Sequence, residues 1–253
     1  MIELQNLVKE FGDLTAVDDL SLTVERGEFF VVLGPNAAGK TTTIKILAGL
    51  LTPTRGHAKV CGYDVQSDPM EVRKRLAYVP DFPFHYDKLT PWEFLRFTGQ
   101  LFQMGEPQIQ KQTRELIPRF NLKPFLDKSI ESLSHGTRQR IAIVSALMHA
   151  PEVFVLDEPM VGLDPHHQFV LKEVLKERSA EGMTVFLSTH QLSVAEDVAD
   201  RIGIVHMGKL VAVGTREELQ KMGGQGNAAL EETFLVLTRE ESDVAVHRQL
   251  QQG

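Results

Sequence analysis

A chain of 253 residues, 42% of them hydrophobic, is long enough for one large α/β domain or for a core that carries a subdomain. Its 27 Lys and Arg stand against 34 Asp and Glu, and the resulting formal charge of −7 argues against an electrostatic grip on DNA or RNA, so no nucleic-acid partner is expected. The single Cys61 excludes an internal disulfide and fits a reducing compartment, and no apolar run approaches the roughly 18 residues needed to cross a bilayer.

The opening Met1-Ile2-Glu3-Leu4-Gln5 has neither the basic nor the apolar region of a signal peptide; a cytosolic protein is expected, meeting any membrane through a partner. Up to residue 26, short apolar and polar runs alternate (Ile2-Leu4, Ala16-Val17, Leu20-Leu22-Val24), which predicts strands joined by turns such as Phe11-Gly12-Asp13. The apolar strand Phe29-Phe30-Val31-Val32-Leu33 then runs into Gly34-Pro35-Asn36-Ala37-Ala38-Gly39-Lys40-Thr41, followed by the helix-like Thr42-Thr43-Ile44-Lys45-Ile46-Leu47. This fits the P-loop template of glycine, four residues, glycine, lysine and serine or threonine. Backbone N–H groups of such a loop and helix N-terminus converge on phosphate; Lys40 would reach the β- and γ-phosphates, and the Thr41 hydroxyl would ligate Mg²⁺. The alternative is a plain glycine-rich turn. The bare pattern arises by chance in roughly one such chain in a hundred, and the strand and helix around it weigh further against that alternative.

Lys59-Val60-Cys61-Gly62-Tyr63 and Leu76-Ala77-Tyr78-Val79 read as further short strands. The pattern then turns helical. Thr90-Pro91-Trp92-Glu93 is a capping box with proline at the first helical position, opening a helix to about Phe102, and helical patterns follow at 108–120 and 137–149. Residues 81–150 therefore read as a helical subdomain inserted into an α/β core of residues 1–80 and 151–215. Val153-Phe154-Val155-Leu156-Asp157-Glu158 is a second apolar strand, ending in two acids. Asp157 suits Mg²⁺ and Glu158 suits polarising the attacking water; the alternative is a strand that simply meets solvent. Val185-Phe186-Leu187-Ser188, a helix near 191–199, Ile202-Gly203-Ile204-Val205 and Leu210-Val211-Ala212-Val213 complete an alternation that predicts a mostly parallel sheet flanked by helices. Residues 216–253 read as a C-terminal extension, with a flexible break at Gly223-Gly224-Gln225-Gly226, a helix over Leu230–Thr238 and a frayed last dozen residues.

Leu133-Ser134-His135-Gly136-Thr137, with the motifs around it, resembles an ATP-binding-cassette (ABC) ATPase, whose signature is usually Leu-Ser-Gly-Gly-Gln. Asp164 in Val161-Gly162-Leu163-Asp164 resembles the family's D-loop, His190 in Leu187-Ser188-Thr189-His190 its switch histidine, and Phe11 the aromatic that stacks on adenine. The resemblance spans about residues 1–237. It implies an α/β fold with a P-loop NTPase (RecA-like) core, an antiparallel β region at the N-terminus and the inserted helical subdomain. It further implies ATP held by Phe11, Gly34, Pro35, Asn36, Ala37, Ala38, Gly39, Lys40, Thr41 and Thr42, with Ser134 and Gly136 contributed by the facing subunit. Glu158 and His190 would be catalytic, and Mg²⁺ would meet Thr41, Asp157 and Asp81.

Four positions depart from the family pattern. Ala37 stands where many members have glycine, His135 and Thr137 replace a glycine and the glutamine of the signature, and Asp81 replaces a glutamine that touches Mg²⁺ or its water. Asp81 keeps a metal role or is a structural acid at a loop end. Phe82, Phe84, Tyr86 and Trp92 either dock a permease helix or form the core of the helical subdomain, with core favoured for Trp92. His57, His85, His149 and His206 read as surface or core histidines, and His166-His167 as a weak metal candidate. The leading reading is the ATPase subunit of an ABC transporter, pairing with a second, identical ATP-binding subunit and with an integral membrane permease of ABC-2 type. It would be an exporter, cytoplasmic and peripheral at the inner face of the cell membrane. The alternatives are a soluble ABC ATPase acting on a macromolecular complex and a non-hydrolysing regulatory binder.

Overall fold

The computed structural model describes residues 1–222 and 230–238. Three fully buried five- and six-residue strands form its centre: β3 (Phe29–Leu33), β7 (Val153–Asp157) and β8 (Thr184–Thr189). Continuous apolar runs of this kind suit parallel strands covered on both faces. They lie in a six-stranded sheet with β6 (Leu76–Val79), β9 (Arg201–His206) and β10 (Lys209–Gly214), in the order β10-β9-β3-β8-β7-β6. Every pairing in it is parallel except that of the edge strand β10 with β9. A second sheet is antiparallel: β1 (Ile2–Phe11), β2 (Leu14–Val24), β4 (Arg55–Val60) and β5 (Tyr63–Asp64), ordered β2-β1-β4-β5. The expected turn at Phe11-Gly12-Asp13 joins its first two strands, with Gly12 at φ 59°.

Alternation along the central strands separates two cores. Phe30, Val32, Val155 and Phe186 face α1 (Lys40–Leu47) and the antiparallel sheet. Phe29, Val31, Leu33, Phe154, Leu156, Val185 and Leu187 face the helices of the other side. Those helices are α3 (Pro91–Leu101), α4 (Glu106–Arg119), α5 (His135–Leu147), α6 (Pro165–Ala180) and α7 (Leu192–Val198). Leu95, Ile109, Phe120 and Ile143 of the 81–150 block thus share one apolar core with the sheet. Two further short helices are α2 (Pro69–Arg75) and α8 (Arg216–Met222).

Local chemistry explains the helix starts. The Thr90 hydroxyl accepts from Glu93 N at 3.3 Å and Thr90 N donates to the Glu93 carboxylate at 2.8 Å, the anticipated capping box. Ser134 caps α5 and Asp164 caps α6, each accepting from a backbone N–H three residues on. α2 was not anticipated; its one buried side chain, Val72, leaves almost no periodic signal. Residues 230–238 are helical, with Leu230 and Thr233 buried and Phe234 packed on the larger core. The glycine-rich stretch 223–226 and the last dozen residues lie outside the described residues.

His149, just after α5, stacks on Phe102 with ring centroids 3.7 Å apart. Burial pushes its pKa down from 6.5 to about 4. Above pH 6.5 the imidazole is neutral in both folded and unfolded chains, so it adds no pH dependence. Below that the unfolded chain takes the proton first, and stability falls progressively to about pH 4, by up to about 3 kcal/mol. Thermal melts of wild type and His149→Phe, which keeps the stack, should diverge over this window, with wild type losing more.

Candidate nucleotide site

Gly34 leaves β3 and the loop closes at Gly39, whose φ is 103° and where a Cβ would lie 2.5 Å from the Ala16 carbonyl oxygen. Only glycine fits there. Lys40 opens α1 and is 6% exposed. Its Nζ donates to Gly34 O at 2.6 Å and Pro35 O at 3.0 Å, and lies 3.6 Å from Glu158 Oε1. Burial lowers the Lys40 pKa, and the charges of Glu158 and Asp157 oppose that shift. Ala37 sits at φ 64°, in the left-handed region that disfavours a Cβ by about 1–2 kcal/mol. Ala37→Gly should therefore stabilise the protein by about 1 kcal/mol, net of glycine's greater freedom in the unfolded chain. For a chain of this size that is a rise of roughly 2–4 °C in melting temperature.

Asp157 closes β7 and is only 2% exposed, so this strand end does not simply meet solvent. The Ser188 hydroxyl donates to Asp157 Oδ1 across the β7–β8 ladder, where the two residues are register partners. Glu158 follows at φ 47°, its N–H bound to Ser188 O at 3.1 Å, and its Oε1 lies 2.9 Å from His190 Nδ1. Asp81 projects into the same cleft with a buried Oδ1 that has no hydrogen-bond partner. Burial raises its pKa first, and the nearby charges of Asp157 and Glu158 add to the rise.

The cleft is lined by Phe11, Asn36, Ala37, Ala38, Gly39, Lys40, Thr41, Thr42, Asp81, Asp157 and Glu158, and also by Leu14 and Ala16. Gly34 and Pro35 lie behind it and hold Lys40 by their carbonyls, and His190 joins through Glu158. Phe11 is half exposed at the rim. Leu14 and Ala16 were missed because they contribute only an apolar wall. Ser188, bound to the Asp157 carboxylate, was missed as well, though strand register could have flagged it. Ser134 and Gly136 do not enter the cleft. They start α5 on another part of the surface, packed on the D-loop, where a Cβ on Gly136 would lie 2.5 Å from Gly162 O.

The acids fit a hard cation. Asp157, the orphaned oxygen of Asp81 and the exposed Thr41 supply oxygen donors, the class Mg²⁺ prefers. Among the described residues no three His, Cys, Asp or Glu side chains converge as a metal cage. The weak metal candidate at His166-His167 finds no support in the structure: His167 spends both ring nitrogens on Asp164 and Arg140.

The sequence profile of the ABC transporter family matches residues 17–161, a span that holds the P-loop, Asp81, the signature stretch and the Asp157–Glu158 pair. The chain belongs to this family. The linearmycin resistance ATP-binding protein LnrL of Bacillus subtilis (strain 168) is 34% identical over 256 residues, 98% of this chain and 82% of that protein. A solved ATP-binding subunit of an ABC transporter superposes with a TM-score of 0.90 at 33% identity, covering 94% of this chain and 99% of that one. The post-hydrolysis dimer of the ATP-binding cassette MJ0796, bound to ADP and Pi, matches with a TM-score of 0.75 at 25% identity over 85% of this chain and 98% of that one. This ABC chain is an ATP-binding, ATP-hydrolysing transporter subunit with a P-loop NTPase core. The soluble, non-transport alternative is not favoured.

Proposed function

We propose that this ABC subunit powers export of a drug-like or lipid-like molecule through a separate ABC-2-type permease, as a head-to-tail homodimer with MgATP in each of two interfaces. The observation that carries the dimer is a division of labour. The cleft holds the loop, Lys40 and the acid–histidine pair, whereas Ser134 and Gly136 lie outside it at a helix N-terminus, a placement that suits the phosphate of another subunit. The linearmycin resistance relative supports the exporter reading.

Within the site, Lys40 and the loop N–H groups bind the β- and γ-phosphates and Phe11 meets the adenine. Thr41, Asp157 and Asp81 would hold Mg²⁺, which would supply neutralisation of phosphate charge. Glu158 takes a proton from the water attacking the γ-phosphorus, the bond to the bridging oxygen breaks in line, and ADP leaves with the electron pair. His190 Nδ1, at 2.9 Å, fixes the Glu158 carboxylate.

No helix among the described residues is long and apolar enough to cross a membrane. We place the subunit in the cytoplasm, held to the inner face of the cell membrane by the permease. Phe82, Phe84 and Tyr86 are 77%, 79% and 49% exposed, whereas Trp92 packs against the core. Phe84 meets Tyr86 edge-on at 5.7 Å, beside a groove lined by Tyr78, Pro83, Phe102 and His149. An exposed aromatic group of this kind suits a permease helix. Phe84→Ala should leave thermal stability within a degree or two, since there is little burial to lose, yet weaken co-purification with the permease about tenfold or more. A drop in melting temperature matching about 3–5 kcal/mol would return Phe84 to the core.

A further inference from the structure

A line of side-chain contacts joins the signature serine to the D-loop within one subunit. The Ser134 and Thr137 hydroxyls lie 2.9 Å apart, and Arg140 Nη2 donates to Thr137 Oγ1 at 2.9 Å. Arg140 Nη1 lies 2.9 Å from His167 Nε2, and His167 Nδ1 lies 2.8 Å from Asp164 Oδ2. Arg140 and His167 are only 7% and 8% exposed. Thr137 is one of the family departures.

The direction of each bond follows from donor capacity. A guanidinium has no acceptor, so His167 Nε2 must accept and Nδ1 carries the proton, which it gives to Asp164. Two more Arg140 N–H groups go to Phe120 O at 2.7 Å and Gly136 O at 3.2 Å. Thr137 is 3% exposed and, among the described residues, Ser134 Oγ is the one acceptor within reach of its hydroxyl, so its own proton is directed to Ser134 Oγ. Ser134 Oγ also accepts from Thr137 N at 3.3 Å. The Ser134 proton is therefore left to point outward, and a buried cation polarises the chain of donors that ends on it.

We infer that His167 is a positioning residue: it orients Arg140, and through Thr137 it turns the Ser134 hydroxyl into a pre-aimed donor for the phosphate of the facing subunit. The inference rests on the head-to-tail reading above. It gives Thr137 a task in place of the family's glutamine and accounts for a buried histidine after the D-loop.

Two substitutions divide the two ends of the imidazole. Glutamine can place an acceptor near Nε2, and asparagine a donor near Nδ1. In a Glu158→Gln background with MgATP, dimer affinity is read by light scattering across protein concentration. His167→Gln should stay within about twofold of the parent, whereas His167→Asn and Thr137→Val should weaken the dimer about tenfold or more. Melting temperature and monomer affinity for a fluorescent ATP analogue should stay level across the series. Imidazole ¹⁵N chemical shifts should show Nδ1 protonated and Nε2 bare in His167. Equal dimer affinity for the Gln and Asn variants, loss that tracks melting temperature, or an Nε2-protonated ring each overturns the positioning role alone. If the Glu158→Gln parent itself forms no MgATP-dependent dimer, the head-to-tail reading fails and this inference falls with it.

Discussion

Glu158→Gln is expected to lower the rate of ATP hydrolysis by about 10²–10⁴-fold, the range a positioned general base supplies, while MgATP affinity changes by no more than about twofold. The substitution keeps the length of the side chain and an oxygen that can still accept from His190 Nδ1, now 2.9 Å away. It removes the basic lone pair and the negative charge. Backbone geometry should survive, since the φ of 47° and the N–H bond to Ser188 O belong to the main chain. ATP would then persist and hold two subunits together, seen as a dimer that outlasts the wild-type one in light scattering. Steady-state phosphate release gives the rate and fluorescent nucleotide titration the affinity. Hydrolysis at the wild-type rate would remove Glu158 from the role of base. A parallel loss of affinity would mean that it acts mainly as the counter-ion of Lys40, 3.6 Å away.

Why these two functions could be read from sequence at all is a matter of locality. A phosphate loop is built from consecutive backbone N–H groups, so its demands fall on adjacent residues: glycine where the Ala16 carbonyl leaves no room for a Cβ, lysine at the first turn. The Asp157–Glu158 pair was legible for the same reason, as the end of an uninterrupted apolar strand. The parallel sheet was legible because its strands are buried on both faces. Features assembled from distant segments were not. Arg140 and His167 are 27 residues apart and meet only when α5 packs against the start of α6. In sequence, Thr137 reads as a lost glutamine and His167 as half of a weak metal pair.

The aromatic cluster shows a different limit. Phe82, Phe84, Tyr86 and Trp92 have the same composition signal, and only packing separates Trp92, set against the core by its place in the first turn of α3, from the three in the preceding loop. Periodicity has nothing to act on in that loop, which Pro80 and Pro83 keep out of a helix. Asp81 is intermediate. Its type raised the question of a metal, and the unpartnered buried oxygen gives that question a structural basis, which sequence could not.

Lys40→Ala is expected to weaken MgATP binding by about 100-fold or more. An ammonium bonded to phosphate oxygens contributes about 1.5–3 kcal/mol per charge-assisted bond, and 1.4 kcal/mol is a factor of ten. The reading must be separated from a structural effect, because the same ammonium holds Gly34 O and Pro35 O and faces Glu158. Thermal melts without nucleotide make that separation. The lost loop bonds should lower the melting temperature modestly, whereas burial already disfavours the charged form of Lys40 and its removal relieves that strain. Melts with MgATP then read the binding. At a nucleotide concentration 100 times the wild-type Kd, wild type gains about 2.7 kcal/mol, and a variant with 100-fold weaker affinity gains only about 0.4 kcal/mol. Lys40→Arg tests the point-charge argument, since a planar fork cannot enter a loop closed around a single ammonium, and it should fail nearly as badly as alanine. If Lys40→Ala keeps the full MgATP-dependent gain, the Gly34–Thr41 loop is not where the nucleotide binds.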